Sequence, residues 1–259
     1  MSHEQEYIEI FDHNRELIEE PCATLLNAAR GRAAVQFRSM GFPGIKEENW
    51  LHSNVAKRFA TDFGMNLGRV EVKTDMQSIF TCDVPNLKTR QAFIINDTFR
   101  NSTGGKELPE GVILASLNET AEKYPTRLQP YYDALAVNGD NIAQFNTMFA
   151  QDGMVLYVPK NCVVDETIQV VTLLQSNVEM LSNRRLLVIL EENSSASLLI
   201  CDHSSMEKQT LSTQVMEVFL GRGAQFNLYE LEETSHSNTR LGHLYVRQQA
   251  DSSFNHSNI

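Results

Sequence analysis

A repeated strand–turn–strand pattern in the second half of the chain constrains the fold most. From about residue 153 to residue 259, short apolar segments alternate with small polar turns, and helical periodicity is almost absent. Three segments resemble one another, at residues 188–200, 218–228 and 245–256. Their apolar centres, Ile189, Phe219 and Val246, are separated by 30 and 27 residues. Recurrence at this length is typical of stacked coils and predicts a parallel β-helix.

An ordinary β-sandwich or jelly roll is the competing interpretation, because its strands also recur at short, regular intervals. The chain has 259 residues, which is enough for one large domain or two ordinary ones. Hydrophobic residues make up 42% of it and charged residues 21%, so it can bury a core and does not have the composition of a disordered chain.

Charge and cysteine content exclude several classes of partner. The formal net charge is −11, and such a field repels phosphate backbones and anionic membranes, so we expect neither nucleic acid nor membrane partners. The N-terminus is acidic and lacks the apolar stretch of a secretory signal. The four cysteines, Cys22, Cys82, Cys162 and Cys201, lie far apart in the sequence, as is usual for reduced thiols. Together these features predict a cytoplasmic protein.

The first forty residues are predicted to be mainly helical. Between Leu25 and Phe37, apolar residues recur at helical spacing and predict a buried face that includes Ala28, Ala29, Arg32 and Val35. Gly41 should end this helix. Trp50, the single tryptophan, is predicted to anchor the helical arm to the rest of the protein.

The middle of the chain mixes short strands and helices. We expect strands at residues 92–96 and 111–117, a helix capped by Ser116 or Asn118, and helical segments at 129–135 and 140–150. The predicted fold is therefore α+β. A helical and mixed α/β region at 1–138 precedes a right-handed parallel β-helix at 139–259, of which only the first rungs are present.

Three motifs, in order, resemble the SufD type of the SufB/SufD family of iron–sulfur cluster assembly proteins. The first is Gly41-Phe42-Pro43 followed by Lys46, Glu48, Asn49, Trp50 and Ser53. The second is Leu108-Pro109-Glu110-Gly111-Val112. The third combines Phe145-Asn146, Phe149-Ala150, Asp152-Gly153 and Tyr157-Val158-Pro159-Lys160. The resemblance covers nearly the whole chain, and the joint occurrence of the three motifs in this order is specific.

The resemblance implies a function and a set of partners. It implies a non-enzymatic scaffold subunit of the SUF iron–sulfur cluster assembly complex, paired with SufB and with the ATPase SufC. It also implies that the SufC docking region and the later rungs lie beyond residue 259, so that we expect a truncated chain. An open β-helix end would then favour a homodimer. The resemblance implies that the full complex holds the nascent iron–sulfur cluster and that this fragment binds no cofactor.

One set of side chains could in principle hold a metal ion. Cys201 and His203 are two residues apart on a predicted strand and so share a face, and stacked rungs could bring Cys162 near them. Three nitrogen and sulfur donors suit zinc or ferrous iron. The commoner role of such cysteines is that of small buried hydrophobic residues, so we predict no metal site.

Other polar clusters have simple structural interpretations. His236, His243 and His256 are expected to be solvated, and Glu230, Glu232 and Glu233 are expected to form a solvated acidic edge. Neither a nucleophile elbow nor a P-loop motif occurs, so we predict no catalytic residues and no nucleotide-binding residues. Two alternatives remain open. They are a β-helix carbohydrate-active enzyme that uses clustered carboxylates, and a cupin-like metal-binding protein.

Overall fold

The computed structural model describes residues 2–70, 89–100, 107–204 and 208–259. Cys82 lies outside these ranges. In the described parts of the chain, no helix combines the length and the apolar character needed to cross a bilayer.

The first forty residues are helical, as predicted. The helices are α1 (His3–His13), α2 (Arg15–Glu19) and α3 (Thr24–Met40). Gly41 ends α3 with φ at 65°, in the left-handed region that glycine tolerates. The predicted buried face of α3 was wrong by about one position, because Leu26, Arg30, Ala33 and Ala34 are buried and Val35 is 64% exposed.

Short elements connect this arm to the second half of the chain. They are α4 (Val55–Arg58), β1 (Thr89–Ile95), β2 (Thr98–Arg100), β3 (Ile113–Ser116), α5 (Leu117–Lys123), α6 (Pro125–Leu128) and α7 (Asn141–Phe149). Ser116 caps α5 by accepting a hydrogen bond from the amide of Glu119 at 3.1 Å, as predicted. The helix predicted over 129–135 was wrong, because turns occupy it between α6 and a 3-10 turn at Ala136–Asn138.

Eight strands then alternate between two sheets. They are β4 (Asp152–Val158), β5 (Thr167–Leu174), β6 (Met180–Leu190), β7 (Ser195–Ser204), β8 (Thr210–Leu220), β9 (Gln225–Glu233), β10 (Asn238–Gln248) and β11 (Ser253–Asn258). One sheet has the order β10-β8-β6-β4-β3 and the other β11-β9-β7-β5-β1-β2. We call the first the helix-facing sheet, because α5 and α7 contact its strands.

Parallel pairing between successive coils confirms the predicted β-solenoid. Leu190 lies beside Val158 and Leu220, and Leu220 lies beside Gln248. The predicted match of Ile189 with Phe219 is correct, whereas Phe219 pairs with Arg247 and not with Val246. The strand pairs formed among β4 to β11 are parallel. This excludes the antiparallel sandwich and the jelly roll. The right hand of the coil stays a prediction.

The turns at one corner of the solenoid stack as a column. Asn161, Asn193, Gly223 and Asp251 occupy the same place in successive coils, and all four have positive φ values between 54° and 68°. The amide of Asn193 donates to the carbonyl of Arg222 in the next coil at 2.8 Å. Asparagine, aspartate and glycine are the residues that accept this backbone conformation most readily, so each coil reverses direction in the same way.

Apolar side chains fill two layers. One fills the apolar part of the solenoid interior, and its members include Leu156, Val188, Leu198, Val218 and Leu228. The other lies between the helices and the outer surface of the helix-facing sheet, and its members include Phe11, Phe37, Phe145, Leu181 and Leu211. Trp50 packs at the edge of this second layer, consistent with an anchoring role. The domain boundary near residue 138 stays a prediction.

Candidate functional site inside the solenoid

The solenoid interior changes from apolar to charged along its strands. Side chains of a strand point alternately to its two faces, so residues two apart share a face. On β6, the inward-facing residues Val188 and Leu186 are followed, toward the start of the strand, by Arg184. On β7 the inward series Leu198 and Ile200 continues to Asp202. The charged residues therefore meet at one end of the interior.

Arg184 and Asp202 form the most deeply buried ion pair of this cluster. Their side chains are 1% and 5% exposed, and Nη1 of Arg184 lies 2.7 Å from Oδ1 of Asp202. The hydroxyl of Thr172, on the neighbouring strand β5, also donates to Asp202. Each charge thus has a partner, which offsets part of the cost of removing it from water.

Arg240, on β10, connects carboxylates of the strands β7 and β9. Its Nε lies 3.2 Å from Oδ2 of Asp202, and its terminal nitrogens contact Glu230 and Glu232. Burial would lower the pKa of Arg240, but the charges of Asp202 and Glu230 outweigh burial and raise this pKa. One guanidinium group therefore connects three acidic side chains from β7 and β9.

Three histidines pair with carboxylates at this end of the solenoid. His256 contacts Glu230 at 2.8 Å, His203 contacts Glu233 at 3.4 Å, and His243 on the opposite surface of β10 contacts Asp140 at 3.0 Å. The prediction of solvated side chains was wrong for His243, whose side chain is 14% exposed, and for Glu230, which is 6% exposed, whereas His256 is exposed as predicted.

The Asp140 carboxylate has a second structural role. It caps α7 by accepting hydrogen bonds from the amides of Ile142 and Ala143 at 3.0 and 3.1 Å. Burial opposes ionisation of Asp140, but the hydrogen bond with His243 and the charge of that histidine lower the pKa of Asp140. His243 therefore ties the strand β10 to the start of α7.

A cavity of about 200 Å³ opens into the charged cluster. It lies between the strands β8 to β11, and its lining includes Gln214, Glu230, Glu232, Arg240 and His256. Glu230 and Glu232 both contact the Arg240 guanidinium. The two carboxylates are thus engaged in ion pairs within the cluster, so this arrangement does not favour the carbohydrate-active alternative, in which two carboxyl groups must act on a substrate.

Cys162 lies apart from the other two candidate metal ligands, Cys201 and His203, which share one face of β7 as predicted. The carbonyl of Cys162 accepts a hydrogen bond from the amide of Ser195 at 2.9 Å, at the start of β7, whereas Cys201 is six residues further along that strand. At about 3.3 Å per residue this separation is about 20 Å. Cys201 is fully buried and accepts a hydrogen bond from Gln169 at 3.5 Å. Across the described ranges, no three His, Cys, Asp or Glu side chains lie close enough together to hold a metal ion.

A second charged cluster lies on the outer surface of the helix-facing sheet. Arg185 and Glu217 are both fully buried, with Nη2 of Arg185 2.8 Å from Oε2 of Glu217. The Glu217 carboxylate also accepts hydrogen bonds from the amides of Asp133, Leu135 and Ala136 at 2.7–3.1 Å. This cluster holds the segment before α7 against the sheet, and we assign it a structural role.

Sequence reasoning missed both charged clusters. The available signal was the position of Arg184 and Arg185 directly before the apolar run 186–190 of the same strand, since consecutive residues of a strand point to opposite faces. A strand buried on both faces leaves neither arginine exposed. Their partners lie on other strands, in α7 and in the segment before it, and spacing in the sequence does not reveal them.

Comparisons with known proteins agree across the whole chain. Residues 1–170 match the family profile described as the SufBD protein N-terminal region, and residues 172–259 match the SufBD core domain of SUF system FeS cluster assembly. The Arabidopsis thaliana protein "Iron-sulfur cluster assembly SufBD family protein ABCI8, chloroplastic" is 29% identical over 117 residues. That match covers 44% of this chain and 21% of the relative.

A second relative shows the same limited coverage. "Protein ABCI7, chloroplastic", also from Arabidopsis thaliana, is 26% identical over 171 residues, which are 63% of this chain and 36% of that protein. The chain therefore matches only about a fifth to a third of the length of these two relatives.

Proposed function

Because the chain belongs to the SufB/SufD family of the SUF iron–sulfur cluster assembly system, we propose that it is a non-enzymatic scaffold subunit of that system. The observation that carries this proposal is the consecutive match of the N-terminal region and the core domain to residues 1–170 and 172–259. The SufD type is our more specific proposal, and it rests on the three sequence motifs. We further propose a cytoplasmic location.

The proposed partners are a SufB-type subunit and the ATPase SufC. A scaffold presents a surface to other subunits, and the second sheet offers one. Asn227 donates to Ser197 at 3.1 Å and Asn255 donates to Asn227 at 2.9 Å, so these side chains form a regular, uncharged row across β7, β9 and β11. Tyr229 beside this row is 42% exposed, and tyrosine is enriched at protein interfaces. In this proposal the nascent iron–sulfur cluster is the cargo of the assembled complex.

Co-purification tests the proposal directly. The tagged chain is expressed together with a SufB-type subunit and a SufC-type ATPase, and retention of either partner supports a scaffold role. Absence of both partners, with a circular dichroism spectrum that shows folded protein, would contradict it. Hydrolysis of polyuronides by the purified chain would instead favour the carbohydrate-active alternative.

Two matched variants locate the contact. Tyr229→Arg places a charge beside the uncharged row. The control, Val35→Arg, places the same charge on α3, far from that row in the sequence, where Val35 is 64% exposed. We expect Tyr229→Arg to reduce partner retention and Val35→Arg to leave it unchanged. The reverse result would move the contact to the helical surface.

A further inference from the structure

A groove of about 670 Å³ lies between α1 and the segment 59–63. The residues of α1 that line it recur at helical spacing and form one stripe along the helix: His3, Glu6, Tyr7, Glu9, Ile10, His13 and Asn14. At 1.5 Å per residue, the 11 residues of α1 extend about 16 Å. The groove therefore has the length of a second helix of about three turns.

Aromatic rings form the floor of the groove. Tyr7, Phe59 and Phe63 line it and are 5%, 1% and 8% exposed. Tyr7 packs edge-on against Phe59, with ring centroids 5.7 Å apart. Beside this floor, Ile10 is half-buried and Ala60 is exposed. The floor is already packed before a partner binds, and a preformed site lowers the cost of ordering on binding.

The rim of the groove is acidic. The lining includes Glu6, Glu9 and Asp62, and no lysine or arginine occurs among the described residues that line it. Glu6 is 50% exposed, and Asp62 is exposed as well. Burial raises the pKa of Tyr7, and the charges of Asp62 and Glu6 raise it further, so the negative potential extends to the floor. The groove therefore favours a ligand that is apolar on one side and basic at its flanks.

We propose that this groove binds an amphipathic helix of a partner protein, which places an apolar stripe on the aromatic floor and lysine or arginine side chains beside Glu6 and Asp62. A helix in a groove is a recurring mode of protein recognition, with apolar anchors three or four residues apart. The acidic rim attracts a basic helix and repels an acidic one, so it supplies specificity. The groove lies on the helical arm and not on the second sheet, and the proposal does not depend on the role of the chain in cluster assembly.

Fluorescence anisotropy of a labelled peptide tests the groove. The probe is a peptide of about fourteen residues with leucine at every third or fourth position and lysine at the others, so that one face of its helix is apolar. A second peptide has the same composition in a scrambled order. At pH 8, where His3 and His13 are mostly neutral, we expect saturable binding of the first peptide that weakens with added salt. The scrambled peptide should bind about tenfold more weakly, because it cannot present an apolar stripe.

Two matched double variants assign the binding to this groove. Glu6→Gln with Asp62→Asn removes two carboxylates that line it. Glu16→Gln with Glu20→Gln removes two exposed carboxylates of the same helical arm that do not line it. Both doubles change the net charge by the same amount. We expect the first to weaken binding of the ordered peptide about fivefold, as for two exposed ion pairs, and the second to change it by less than about twofold.

Three outcomes would overturn the proposal. The first is that the ordered peptide shows no saturable binding to the folded, unmodified chain. The second is equal affinity for the ordered and the scrambled peptide, since charge alone would then account for binding. The third is an equal loss of affinity in the two double variants, since binding would then follow net charge and not this groove. Circular dichroism checks that each variant is folded, and Glu6→Gln alone, compared with Glu16→Gln, decides the third outcome if a double variant is not.

Discussion

Replacement of Glu217 by glutamine removes one negative charge from the buried cluster on the helix-facing sheet. Oε1 of Glu217 accepts hydrogen bonds from the amides of Leu135 and Ala136, and Oε2 accepts from the amide of Asp133 and from Arg185. Glutamine offers only one acceptor oxygen, so its NH₂ group must face two of these donors. Either orientation turns two of these N–H donors away from an acceptor, and of the four only Arg185 keeps a second partner, Asp133.

The expected loss of stability follows from these contacts. A buried donor without a partner costs about 1–3 kcal/mol, and removal of one member of a buried ion pair costs about 3–5 kcal/mol. Arg185 keeps its contact with Asp133 at 3.1 Å, so the lower end of that range applies. We expect Glu217→Gln to reduce the free energy of unfolding by about 3 kcal/mol. In a chain of this size that lowers the melting temperature by about 6–12 °C.

Urea denaturation followed by circular dichroism measures this loss. The matched control is Glu233→Gln, whose side chain is 61% exposed, and we expect a change within about 0.5 kcal/mol there. A double-mutant cycle with Arg185→Met should give a coupling energy of about 2 kcal/mol, because each single change leaves a buried group unpaired. A loss below about 1 kcal/mol for Glu217→Gln would refute the structural role of this cluster.

Three further predictions concern close backbone contacts and alkaline pH. Gly153 has φ at 150°, and an added Cβ would lie 1.7 Å from the carbonyl oxygen of Arg185, so Gly153→Ala should lower stability by about 3 kcal/mol or prevent folding, measured by urea denaturation. Gly223 has φ at 68°, and an added Cβ would lie 2.6 Å from Oδ1 of Asn193. Gly223→Ala should therefore lower the free energy of unfolding by about 1–2 kcal/mol. A second change, Asn193→Gly, should recover part of that stability because it removes the contacting side chain. Burial, and then the charge of Asp140, raise the pKa of Tyr245 to about 12, so the neutral phenol stabilises the fold fully below pH 10, and this contribution is lost as pH rises from 10 to 12. Absorbance at tyrosinate wavelengths should show this late titration, and Tyr245→Phe should abolish it; a transition near pH 10 that disappears in Tyr245→Phe would contradict the assignment.

The sequence alone was sufficient to predict the general architecture. Apolar strands between small polar turns, repeated about every 30 residues, predicted stacked coils because a strand pattern at that period buries its apolar face only against its neighbours. The pairing of Ile189 with Phe219 was also predictable, since both occupy the same place before similar turns. The one-residue error at Val246 arose because the coils shorten along the chain, from 30 to 28 residues between β6, β8 and β10.

Only the tertiary structure decided where the charges lie. A strand of the helix-facing sheet is buried on both faces, so Arg184 enters the solenoid and Arg185 enters the helical layer, although they are neighbours in the sequence. The polar local sequence around Glu230 predicted a solvated acidic edge. Burial depends on which strands stack beside it, and ion pairing depends on distances between coils. Local sequence determines neither quantity, and for that reason the charged interior became visible only in the folded chain.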